Sequence, residues 1–113
     1  MRATIAMILI ATGLLAGCAP SEQQYDAAVT MLQGSQKART ELLNDCTKAM
    51  SAKDATWHHN AAVVMNVSDK DAPRVACNRY IKAMVSGRAT YQDALDMQNR
   101  RYTPKLIKIF QDR

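Results

Sequence analysis

Apolar residues recur along this chain at the spacing of an amphipathic helix. Tyr25, Ala28, Val29 and Leu32 fall on one face, and Leu42, Leu43, Cys46, Ala49 and Met50 resume the same phase further on. Between them Ser35, Gln36 and Arg39 interrupt the stripe, beside Gly34. A glycine inside a helix costs about 1 kcal/mol relative to alanine. The pattern therefore predicts one long helix weakened there, or two helices with a bend. Ser21 is placed as N-cap of the first turn, with Gln24 three residues later able to complete a capping box.

The same reasoning carries through the rest of the chain. Ser51-Ala52-Lys53-Asp54 reads as a turn and a new N-cap, and Trp57, Ala61, Val64 and Met65 mark the next helix, which ends near Asn66. Asp69-Lys70-Asp71 is a polar connection, and Pro73 suits the first turn of a helix on which Cys77, Tyr80, Ile81 and Met84 share a face. Gly87 is free to take the left-handed conformation that closes it. Thr90 and Asp93 then form the start of a further helix, with Tyr91, Ala94, Leu95 and Gln98 turned inward. Pro104 cuts off the segment Lys105-Leu106-Ile107-Lys108-Ile109-Phe110. Either it closes the core through Leu106, Ile109 and Phe110, or it is an exposed apolar and basic segment suited to an anionic membrane surface or a partner. The expected fold class is all-α: a single domain over residues 21–113, a small bundle of four to five helices. The stretch from Cys77 to Asp93 resembles small exported helical proteins without an assigned function and brings no activity with it.

Ahead of this domain the pattern changes. Arg2 is followed by the apolar run Ile5 to Leu15. That is too short for a bilayer span, which needs about 20 residues, but it fits a secretory signal. The run ends in Leu15-Ala16-Gly17-Cys18, which resembles the lipobox of bacterial lipoproteins. The resemblance implies that residues 1–17 are removed, that the Cys18 thiol is joined to a diacylglycerol, and that residues 18–20 are a short lipidated tether. It also implies an address. The family's sorting pattern holds a lipoprotein in the inner membrane mainly when Asp follows the cysteine, and Ala19 stands here, so the expected place is the outer membrane facing the periplasm.

That address changes how charge and cysteine are read. The chain holds 15 basic and 10 acidic residues, and the excess is local: Arg100, Arg101, Lys105, Lys108 and Arg113 face only Asp112 near the end. One Phe, one Trp and an exported location argue against nucleic acid as a partner. With Cys18 committed to lipid, Cys46 and Cys77 remain as an even pair in an oxidising compartment. The simplest state is one intramolecular disulfide; pairing with another protein is the alternative.

Candidate chemistry adds little. His58 and His59 diverge by about 100° on a helix, so they are poorly placed to share a metal. Five methionines lie scattered singly after the signal, which suits core filling better than copper binding. There are only two glutamates and four glycines, and the motifs of nucleophilic, phosphate-binding or redox sites are missing. The expectation is therefore a non-enzyme without cofactor or metal. It acts as an interaction or accessory subunit of an envelope assembly, held to the membrane by its lipid. Two surfaces are candidate contacts for a partner or the membrane: the Tyr25, Val29, Leu32 stripe, if it projects rather than packing on the domain's own core, and the Lys105, Lys108, Phe110 segment. The alternative is a binding or inhibitor module for a periplasmic enzyme, toxin or small molecule, with a pocket near Trp57 and Tyr80.

Overall fold

The computed structural model describes residues 20–113, so Cys18 and the lipobox lie outside the described residues. These residues form six helices and no strand: α1 Glu22–Gly34, α2 Gln36–Ser51, α3 Ala55–Met65, α4 Ala72–Val85, α5 Tyr91–Gln98 and α6 Pro104–Phe110. The count exceeds the expected four to five for two reasons. Ser35 splits the first periodic stretch, and Pro104 opens a helix of its own.

Local chemistry sets most boundaries. The capping box of α1 is closed in both directions: Gln24 N–H donates to Ser21 Oγ (3.2 Å), and Ser21 N–H donates to Gln24 Oε1 (2.9 Å). At the break, Ser35 adopts extended backbone (φ −141°, ψ 112°), and its hydroxyl accepts from Ala38 N–H, so the residue that ends α1 also starts α2. Arg39 reaches back across the bend and donates to Leu32 O at 2.6 Å, satisfying a carbonyl that the end of α1 leaves without a helical partner. Gly87 sits at φ +79°, in the left-handed region. This turn lets Ala89 N–H return to Ala83 O at 2.9 Å, closing α4.

Helix α4 is the hub. It packs on α1, α2, α3 and α6, and it buries Ala72, Pro73, Ala76, Cys77, Ile81, Ala83 and Met84. Its two halves serve two apolar clusters. Ala83 and Met84 join Tyr25, Leu32, Ala89, Leu106 and Ile109, whereas Ala72 and Ala76 join Ala62 and Met65. Between the clusters Cys77, 2% exposed, is bonded to Cys46 across a Cα separation of 5.9 Å. The expected disulfide is thus intramolecular. It ties α2, which has no fully buried residue of its own, to the hub.

Three expectations resolve at this level. The break at Ser35 lets α1 fold back on α4 and α5 instead of projecting, so Tyr25 and Leu32 are 7% and 4% exposed and Val29 packs beside them. That stripe is core and is not free for a partner. One face of the segment after Pro104 also goes inside, with Leu106 wholly buried, Ile109 buried and Phe110 stacked on Tyr80 at 6.1 Å, while Lys105, Ile107 and Lys108 are exposed. Helix α3 departs from its expected face. Ala62 and Met65 are buried, while Val64 is 41% and Val63 67% exposed, because a helix apolar on several sides has no single stripe to fix its rotation.

Replacing both Cys46 and Cys77 with alanine should lower unfolding stability by about 3.7 kcal/mol, the chain-entropy cost of freeing a loop of roughly 30 residues. Urea denaturation of the two forms checks this, and a loss below about 1 kcal/mol would contradict the structural weight given to the bond.

Candidate functional site

The described chain begins at a fixed point. Tyr91 Oη donates to the Pro20 carbonyl at 2.8 Å, and the Tyr91 ring lies 5.8 Å from that of Tyr25 at an angle of 54°. Tyr25 is itself held, its hydroxyl donating to Ala89 O at 3.1 Å. The residue two positions after Cys18 is therefore tied to the start of α5.

Beneath this end lies a polar network that anchors α6. Asp93 is 5% exposed, and its Oδ2 accepts from Thr90 N–H at 2.8 Å, from Thr90 Oγ1 at 3.0 Å and from Lys105 Nζ at 2.7 Å. Burial alone would push the Asp93 carboxyl up. The Lys105 ammonium and the two Thr90 donors outweigh burial and hold it below the usual carboxylate range. Burial pushes the Tyr25 and Tyr80 phenols the other way, upward, so both are neutral hydroxyls at physiological pH. Lys105 is thus committed to an internal ion pair. Phe110 is half-buried against Tyr80, and Lys108 is exposed.

The histidines have structural partners. His58 Nε2 lies 3.0 Å from Met50 O, where it donates to a carbonyl at the end of α2. His59 Nδ1 lies 3.4 Å from the Asp69 carboxylate on the surface. Among the described residues no group of three or more His, Cys, Asp or Glu is arranged to hold a metal ion.

The concave surface lies elsewhere. Two adjoining depressions of about 380 and 510 Å³ follow the seam between α2 and α4, sharing Asn78 and Lys82, and neither Trp57 nor Tyr80 lines them. Leu43, Val75, Ile81 and Val85 give the groove an apolar floor. Arg39, Arg74, Arg79 and Lys82 line its sides, with Asp112 as the one carboxylate. Two of these guanidinium groups are fixed by backbone: Arg39 on Leu32 O, and Arg79 on Met65 O and Phe110 O. Sequence reasoning did not find this groove. Arg74, Asn78 and Lys82 at spacing four were readable as one line on α4, but the opposing Arg39 depends on how α2 packs.

Set against known proteins, the chain matches no family model, and neither a curated protein nor a solved structure matches it significantly.

The Asp93 network carries a pH signature. Its native pKa lies below the unfolded value of about 3.9, so its stabilisation is fully present above that value and is lost as pH falls through the native pKa. Asp93→Asn should cost about 1.5 kcal/mol at neutral pH, with the gap to the parent closing in strong acid. Thermal unfolding of both forms from neutral to acid pH measures it; a gap that stays constant or widens in acid would contradict the network.

Proposed function

We propose that this chain is a bacterial lipoprotein, anchored through Cys18, that serves as a non-catalytic interaction or accessory subunit at the periplasmic face of an envelope membrane. Ala19 favours the outer membrane. The observation that carries the reading is Leu15-Ala16-Gly17-Cys18 at the end of a short apolar run, immediately ahead of a domain whose first described residue is already tied down.

The physics of such an anchor is simple. Each buried CH₂ contributes about 0.8 kcal/mol, so two or three acyl chains hold a protein firmly where one holds it marginally. Only Ala19 separates Cys18 from Pro20, and an extended chain spans at most about 3.6 Å per residue. A domain held so closely keeps the end bearing Pro20, Arg88 and Tyr91 at the headgroups. The disulfide supports the compartment, because such bonds persist in oxidising spaces and are rare in a reducing cytosol.

In cells, the protein should pellet with membranes, resist extraction by high salt and carry labelled fatty acid, whereas Cys18→Ser should lose the label and leave the membrane. Unchanged label or unchanged membrane residence in Cys18→Ser would overturn the reading.

A further inference from the structure

We propose that the groove between α2 and α4 is the docking site of an acidic amphipathic helix from a protein partner. The proposal rests on the interaction-subunit reading and names the surface and the partner chemistry that this reading leaves open.

The groove has the two properties that such a helix requires. Its floor is apolar, through Leu43, Val75, Ile81 and Val85, and its sides carry four cations against one carboxylate. The cations are ordered in a line. Arg74, Asn78 and Lys82 stand one turn apart on the exposed face of α4, spanning about 12 Å. A partner helix repeats its side chains at the same pitch. Carboxylates one and two turns apart therefore meet Arg74 and Lys82 while leucine-like side chains between them reach the floor. Arg39 and Arg79 face the groove already immobilised by backbone carbonyls, so little side-chain freedom is lost when their remaining N–H groups bind carboxylate. A compact phosphate headgroup would use a cluster of cations and would leave the apolar side chains of the groove uncovered.

The chain also places an acid on this rim. Asp112 sits at φ +59°, held there by its own N–H to Ile109 O at 3.1 Å and by Arg113 N–H to Lys108 O at 2.9 Å. This turn directs its carboxylate to 3.7 Å from Lys82 Nζ. Asp112 is thus an internal stand-in for one partner carboxylate, and an incoming helix must displace it.

The test uses the full chain in phosphatidylcholine nanodiscs, titrated with a fluorescent synthetic helix of Glu and Leu, patterned so that one face is apolar and flanked by Glu. Saturable, salt-weakened binding is expected. Asp112→Asn should tighten it several-fold by removing the internal competitor, and Arg74→Glu with Lys82→Glu should weaken it about tenfold or more. The doubly substituted chain should instead prefer the same helix built with Lys. All three positions are exposed, so circular dichroism and melting should be unchanged. Absent binding, or binding indifferent to these substitutions, would overturn the proposal. So would a groove that instead binds nanodiscs containing phosphatidylglycerol, or a second copy of the chain. Failure of the anchor reading shows separately, as membrane residence of Cys18→Ser, since the peptide titration does not depend on the lipid.

Discussion

The burial of helix α4 is the constraint on which the rest of this structure depends. This helix of fourteen residues contributes to two apolar clusters at once, one towards each end. Neither cluster is large. A chain of this size buries a smaller share of its surface than a large domain does, so a helix that serves two cores must be held in register along its length. The Cys46–Cys77 bond meets that need near the midpoint, tying in α2, which has no buried residue of its own. Arg79 adds a second tie, one guanidinium joining the end of α3 to the end of α6 through their carbonyls.

How much of this was legible in the sequence follows from the range of each interaction. Caps and turns act within four residues, and they were readable: Ser21 with Gln24, Thr90 with Asp93, Gly87 at its left-handed turn. The bend at Gly34 and Ser35 was visible as a polar gap. What the gap does was not visible, because whether α1 projects or folds back depends on Ala83, Met84 and Leu106, far along the chain. Lys105 read as a free surface cation for the same reason. Its partner Asp93 lies twelve residues away on another helix, and only packing brings them together. Helix α3 shows the opposite limit: with apolar residues on several sides, periodicity could not say that Val64 faces outward and Ala62 inward.

Anchor and groove become one arrangement when the helix directions are followed. Arg39 lines the groove with Lys82 and Val85, and Leu43 lines it with Arg74 and Val75, so α2 runs antiparallel to α4. The C-terminal end of α4 is the end near Pro20; the turn at Lys53 and Asp54 lies at the other, about 20 Å away along the helix. In the proposed reading the lipid fixes one end of the domain at the membrane, and the groove leads from there along its side. Such an anchor limits where a partner can meet the groove, which raises the effective concentration of partners tethered in the same membrane.

The central claim is that the tether leaves the domain no freedom to lift or turn over. The most direct measurement is fluorescence quenching by lipid-borne quenchers, with a dye placed in turn at Arg88 and at Lys53 of the lipidated chain in bilayers. The account predicts strong quenching at Arg88 and weak quenching at Lys53. Equal quenching at the two positions in the parent chain would contradict it.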